Sequence, residues 1–339
     1  MIPAVVICDD SNLARKQMAR CLPDSWQSRI QFAAHGAEAL QLIKSGTVDL
    51  LFLDLNMPVL DGYQVLAALK EMQSSIKVIV VSGDVQPEAY ERVMKLGAAD
   101  FVKKPVDVNK ISALLDTVAA EHQAEAKGSM PPKPALTQRI EVDAELRDVF
   151  QEITNVAMGQ AGDLLARLLN VFVKLPIPNV NLIEVSELHM ALASVEDESS
   201  TSAVCQGFIG GGVSGEALLI LTDSSFKDVA RLMNYHGKLT HQVELELLMD
   251  IANILIGSVL KGLSEQLDMG FSQGHPVVLG QHAAVSELIK ANAGRWRKTL
   301  AIEISYGIEN YDIMCDLLLL FTEDSVKTLK NKVAFLLED

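Results

Sequence analysis

A chain of 339 residues with 49% hydrophobic content exceeds one ordinary core and reads as two or three folded domains. The formal net charge of −15, with no compensating basic patch, argues against phosphate-backbone binding, so nucleic acid is not an expected partner. The cysteines Cys8, Cys21, Cys205 and Cys315 form no CxxC pair and fit a reduced cytoplasm, while the apolar run Ala4 to Cys8 is too short for a secretory signal or a membrane span.

From Ala4 to about Ala120, short β-branched runs alternate strictly with helix-period segments: AVVIC, NLARKQMARCL, RIQFA, GAEALQLIK, DLLFLD, GYQVLAALKEM, KVIVVS, PEAYERVMKLG, DFVKK and KISALLDTVAA. Five strands and five helices in this order predict a doubly wound parallel sheet, with functional groups at the carboxyl ends of the strands. Asp9 and Asp10 end the first strand and Asp54 ends the third, so the three carboxylates should converge. Like charges that close call for a hard divalent cation with oxygen ligands, magnesium above all. Ser82 closes the fourth strand and Lys104 precedes Pro105 after the fifth, where a hydroxyl and an ammonium can bind phosphoryl oxygens once Asp54 is modified. Each residue alone has a structural alternative, as a helix cap, a solvated strand end or a turn former. Their joint placement at consecutive strand ends points to a site.

Next comes EHQAEAKGSMPPKPALTQ, which breaks the periodicity and gathers Gly128, Ser129, Pro131, Pro132 and Pro134. Domains are therefore expected at 1–122 and 140–339, joined by a linker at 123–139.

Beyond about Arg139 the chain matches itself. Asp148, Glu152, Asn155, Gly159 and Pro178 recur as Glu246, Asp250, Asn253, Gly257 and Pro276, each 98 residues on. TDSSFK at Thr222 to Lys227 recurs as TEDSVK at Thr322 to Lys327, 100 residues on, and both follow apolar strands. Two helix-then-strands units, about 145–233 and 243–333, predict an α+β domain with an internal pseudo-two-fold duplication. Residues three and four apart are neighbours on a helix, so each acid and amide project side by side. The helix around LRDVFQEITNVAMGQAGDLLARLL reads as amphipathic, and Asn is a poor mid-helix residue because its amide competes for backbone hydrogen bonds. An amide both donates and accepts, so it can orient a water for in-line attack on a phosphoryl group, and a nearby carboxylate can pair with a lysine of a phospho-aspartate pocket. A polar helix face at a domain edge is the structural alternative. The seven histidines, His241 and His282 among them, are scattered without metal-ligand spacing and read as surface or packing residues.

The first 120 residues resemble response-regulator receiver domains of the CheY type, through CDD at Cys8 to Asp10, LDLNMP at Leu53 to Pro58, Asp61 and Gly62, VVSG at Val80 to Gly83 and GAADFVKKP at Gly97 to Pro105. That resemblance implies that Asp54 accepts phosphate from a CheA-like histidine kinase and that Asp9, Asp10 and Asp54 bind Mg2+. It also implies a Lys104 ion pair with the phosphate, a cis peptide before Pro105, and Phe101 at the switch position where motor-binding members usually carry tyrosine. The ladders resemble the signature of the CheC, CheX and FliY phosphatases, which dephosphorylate CheY. Asp148, Glu152, Asn155 and Pro178 match that signature in full, which implies that Asn155 positions the hydrolytic water and Glu152 pairs with the substrate receiver's lysine. At Asp250 the second ladder has a carboxylate one methylene shorter, by roughly 1.5 Å, so Asn155 is ranked above Asn253. The implied partners are the kinase, a phosphorylated CheY-like receiver and a CheD-like activator, with a homodimer left open. Three arrangements follow: hydrolysis on a separate receiver gated by Asp54 phosphorylation, hydrolysis of the chain's own Asp54, and a non-catalytic adaptor that docks on receivers or the flagellar motor.

Overall fold

The computed structural model describes residues 2–46, 48–107, 110–111, 114–115, 142–184, 201–283 and 298–338. The linker expected at 123–139 lies outside the described residues. The chain divides into two compact units, residues 1–148 and 149–339.

The first unit is built on β1 (Val5–Cys8), β2 (Ile30–Ala33), β3 (Leu50–Leu53), β4 (Lys77–Ser82) and β5 (Asp100–Lys103). All neighbours pair in parallel, in the order β2-β1-β3-β4-β5. VVIC and LLFL are buried at every position, the unbroken apolar pattern of strands covered on both faces. Alternate residues feed opposite cores. Val6, Cys8, Leu51, Leu53, Val78 and Val80 pack on one face with Val65, Leu66 and Leu69, while Val5, Ile7, Leu50, Phe52, Ile79 and Val81 pack on the other with Met18, Trp26 and Ile111. Helices α1 (Asn12–Arg20), α2 (Gly36–Ser45), α3 (Gly62–Glu71) and α4 (Pro87–Leu96) connect the strands. Of the fifth expected helix, residues 110, 111, 114 and 115 are helical and the remainder lies outside the described residues.

Local signals fix the helix starts. Ser11 caps α1 by accepting the Ala14 N–H at 3.1 Å, and Asp61 with Gln64 forms a reciprocal capping box that starts α3. That box sets the chain close beneath the end of β3: a Cβ on Gly62 would lie 2.3 Å from the Asp54 carbonyl oxygen and 2.8 Å from the Leu55 Cα. Only glycine fits there.

The second unit is α+β and its sheet is antiparallel. Helix α5 (Val142–Leu169), which begins in the last residues of the first unit, leads into β6 (Val173–Lys174), β7 (Asn179–Glu184), β8 (Thr201–Gly210) and β9 (Val213–Thr222). After α6 (Phe226–Leu232) and α7 (His241–Leu267) come β10 (Ser272–Gln273), β11 (Val277–Ala283), β12 (Lys298–Ile308), β13 (Met314–Phe321) and α8 (Glu323–Glu338). The strand order is β10-β8-β9-β13-β12-β6, with β11 also on β8 and β7 also on β12. The central pair, β9 and β13, aligns Leu219 with Leu317 and Leu218 with Leu318. Leu218, Ala301, Leu318 and Leu320 form an apolar cluster on it. Helix α7 packs on β8 and β9, and α8 on β9 and β12. A Cβ on Gly262 of α7 would lie 2.6 Å from the Ala157 Cα of α5, so the two long helices approach almost to backbone contact there.

The amphipathic reading of α5 needs correction. From Glu152 to Gly159 every residue is buried, polar ones included. The chain reads as amphipathic because Glu152, Thr154 and Asn155 break the apolar run, yet all three are enclosed.

Candidate functional site

In the first unit the parallel topology brings the sequence-predicted residues to one edge. The Asp54 N–H donates to the Cys8 carbonyl at 2.9 Å, which ties the end of β3 to the end of β1. The Ser11 N–H in turn donates to Asp9 Oδ1 at 2.9 Å. Carboxylate oxygens of Asp9, Asp10 and Asp54 all lie within 4.8 Å of one another. Lys104 extends from the end of β5 to place Nζ 2.7 Å from Asp9 Oδ2 and 3.6 Å from Asp54 Oδ2. Asp9, Asp54 and Lys104 are all buried, and Ser82 is fully enclosed, its Oγ accepting the Asp84 N–H at 3.2 Å. The Lys104 N–H donates to the Ser82 carbonyl at 2.9 Å, which sets the ammonium and the hydroxyl on adjoining strands. The Lys104–Pro105 peptide is cis. Phe101 is half-buried, its ring edge-on to Tyr90 at 6.0 Å.

Electrostatics give this pocket its chemistry. Burial, reinforced by the Asp9 charge, pushes the Asp10 carboxyl up to about 6, while Lys104 acts in the opposite sense. Three carboxylates face one ammonium, so two negative charges stay uncompensated when all are ionised. A hard divalent cation fits that donor set. Asp9, Asp10 and Asp54 would hold Mg2+, which when bound supplies charge neutralisation for an incoming phosphoryl group. Asp54 shares this pocket with the Lys104 ammonium, and the Ser82 hydroxyl lies at the end of the adjoining strand.

In the second unit both ladders fall on helices, as expected, but their surroundings differ. On α5, Glu152 and Asn155 are 7% and 4% exposed. Neither Oδ1 nor Nδ2 of Asn155 has a hydrogen-bond partner among the described residues. On α7, Glu246, Asp250 and Asn253 are all exposed, and Gln242 Nε2 donates to Glu246 Oε1 at 3.2 Å.

Two of the histidines, both exposed as expected of surface residues, stand close together. His241 at the start of α7, Glu244 one turn on and His282 in β11 present ligand atoms within 4.8 Å of one another. The two histidines are 41 positions apart in sequence, so no local spacing marked them. Antiparallel pairing of β11 with β8, on which α7 packs, brings them together.

Residues 5–116 match the family model for the response regulator receiver domain. The chain is 29% identical over 109 residues to the chemotaxis protein CheY of Treponema pallidum, covering 32% of this chain and 76% of that protein. It is 25% identical over 161 residues to the transcriptional regulatory protein ZraR of Klebsiella oxytoca, covering 47% of this chain and 36% of that protein. The chain thus spans about a third of the length of ZraR and of the similarly matched NtrC. Among solved structures, the REC domain of AraT, a response regulator from Geobacillus stearothermophilus, is 26% identical with a TM-score of 0.33, covering 37% of this chain and 98% of that one. No described helix is long and apolar enough to cross a membrane. Over residues 5–116 this chain is a response regulator receiver domain, with Asp9, Asp10 and Asp54 forming its acidic pocket.

Proposed function

We propose that the C-terminal unit hydrolyses aspartyl phosphate on a CheY-like receiver, and that phosphorylation of Asp54 by a CheA-like kinase gates this activity. The observation that carries the proposal is Asn155, a buried amide with both polar atoms unpartnered among the described residues, one helical turn from Glu152. A buried unsatisfied polar group costs about 1–3 kcal/mol, and a cost of that size held in mid-helix points to a use. An amide that accepts from water and donates to a phosphoryl oxygen has such a use, because in phosphoryl transfer the protein's task is to position the nucleophile and balance charge. The acyl phosphate is itself labile, so neither a protein nucleophile nor a second metal is needed.

The duplicated CheC-like architecture is part of the same proposal. The recurrent ladders and the sheet order, with β9 and β13 at the centre and β8 and β12 flanking them, support it. Burial of Glu152 and Asn155 supports gating, since a closed face must be uncovered before it can meet a substrate. Asp250 and Asn253 lie on an open face but carry the shorter acid, and a misplacement of about 1 Å costs on the order of a hundredfold in rate.

That same burial favours one second reading, an adaptor that docks on receivers or the flagellar motor without hydrolysing anything. Phosphate release from a free phosphorylated receiver separates the two, using wild type, Asp54→Ala and Asn155→Ala. Loss in Asn155→Ala supports hydrolysis in trans, loss of the phosphodonor-activated rate in Asp54→Ala supports gating, and no release from any form supports the adaptor. Turnover restricted to the chain's own Asp54 identifies self-dephosphorylation. Comparing wild type with and without a small phosphodonor tests gating.

A further inference from the structure

We propose that His241, Glu244 and His282 form a binding site for a first-row divalent transition metal of the Zn2+ class, with Asp223 holding His282 in place for it. Imidazole and carboxylate are ligands Zn2+ prefers, and two histidines with one acid plus water make an ordinary four-coordinate set. The ligand atoms lie within 4.8 Å of one another. A tetrahedral shell with bonds near 2.0–2.1 Å needs them about 3.4 Å apart. Rotation of exposed side chains supplies that change, since His241 and His282 are both exposed and their rings stand 6.0 Å apart.

The groups behind the ligands argue for a metal more than the ligands alone do. His282 Nδ1 lies 2.7 Å from Asp223 Oδ2, and Nε2 on the other edge of the ring faces Glu244 Oε2 at 3.3 Å. A metal takes the Nε2 lone pair, so Nδ1 carries the proton and donates it to Asp223. This is the carboxylate–histidine relay that fixes tautomer and orientation at metal sites. Asp223 is itself held, with Ser202 Oγ donating to its Oδ1 at 2.8 Å. The His282 N–H donates to the same Ser202 hydroxyl at 3.4 Å. The backbone is also set for the purpose. His282 sits at φ 55°, in the left-handed region, where the β11–β8 register shifts between Gly280 and Ala283. A non-glycine residue is strained there, and the ring faces Glu244 of α7.

One force opposes the site. His241 and Glu244 lie in the first turn of α7, whose positive dipole end disfavours a cation. Two carboxylates, Glu244 and Asp223, outweigh that at contact range. The hydrogen bond to Asp223 raises the His282 pKa, and a metal needs the free Nε2 lone pair, so metal and proton compete for Nε2. The bound metal would clamp the end of β11 to the start of α7, the helix that carries Glu246, Asp250 and Asn253.

The test is calorimetric titration of the full chain with Zn2+ at about pH 8, in excess Mg2+ to occupy the receiver pocket. One equivalent should bind, and substitution with Co2+ should give the visible absorption of a low-coordinate nitrogen and oxygen site. His241→Ala and His282→Ala should each abolish that equivalent. Asp223→Asn should weaken it by about 10–100-fold with stoichiometry retained, the loss a second-sphere partner carries. Should a histidine variant fail to fold, Glu244→Gln on the helix surface reads the same site. Absence of binding by wild type, or a one-equivalent isotherm unchanged by Glu244→Gln and His282→Ala, overturns the proposal.

Discussion

Lys104 Nζ lies 2.7 Å from Asp9 Oδ2, and both side chains are almost wholly enclosed, at 3% and 7% exposure. A buried pair of this kind is costly to break, because removing one partner strands the other's charge, at about 3–5 kcal/mol. Lys104→Met should therefore destabilise the receiver domain strongly in Mg2+-free urea denaturation. Added Mg2+ should recover much of the loss, since the cation takes over the neutralising role. An equal deficit with and without Mg2+ would mean that the lysine serves packing rather than charge balance.

Asp10 gives a pH dependence whose sign follows from its cause. Burial and the Asp9 charge raise its folded-state carboxyl from 3.8 to about 6. A raised acid pKa favours the protonated folded form, so its effect on stability is nil well below 3.8, grows as a penalty between 3.8 and about 6, and is constant above that. Mg2+ needs the ionised form. Calorimetric Mg2+ affinity should hold steady above about pH 7 and fall by up to tenfold per pH unit once below about 6. An affinity flat down to about pH 5 would contradict this.

Gly62 tests how tightly the loop after β3 is held. A methyl there meets the Asp54 carbonyl and the Leu55 backbone, neither of which can yield without moving Asp54. Gly62→Ala should cost about 1–3 kcal/mol in overpacking and slow phosphorylation by a small phosphodonor. Gly62→Ala with wild-type kinetics would show that the loop relaxes freely.

Tyr306, fully buried in β12, donates its hydroxyl to the Met158 carbonyl of α5 at 3.4 Å. Burial raises the phenol pKa, so the group stays neutral. Tyr306→Phe should lower the stability of the second unit by about 0.5–1.5 kcal/mol, whereas Tyr306→Ala should cost about 3–5 kcal/mol through the cavity. Guanidinium denaturation distinguishes the two, and equal losses would place the weight on the hydrogen bond instead.

Asn155 makes an unusual stability prediction. If its unpartnered amide is kept for chemistry, Asn155→Ala should leave the second unit unchanged or up to about 1 kcal/mol more stable, the gain from removing the polar group offsetting a small cavity. A loss above about 2 kcal/mol would assign the residue to structure.

The receiver pocket was legible because its logic is topological. Once strands and helices alternate, the residues at the carboxyl ends of β1, β3, β4 and β5 must share one edge, and Asp9, Asp10, Asp54, Ser82 and Lys104 are those residues. The helical ladder spacing was legible for the same reason, since i, i+3 and i+4 define a helix face. Burial of that face on α5 was not. Polar side chains at 152, 154 and 155 mimic a solvated stripe, and only packing reveals that they are enclosed. His241 and His282 were unreadable together because antiparallel pairing with an irregular register joins them, and neither departs from ordinary local sequence.

The most direct measurement is the lifetime of aspartyl phosphate on a free CheY-like receiver, in the presence of wild type and of the double variant Asn155→Ala with Asn253→Ala. Wild type activated by a phosphodonor should shorten that lifetime, and the double variant should restore it to the spontaneous value while Glu246→Ala alone does not. A double variant that shortens the lifetime as well as wild type does would show that neither amide takes part in hydrolysis.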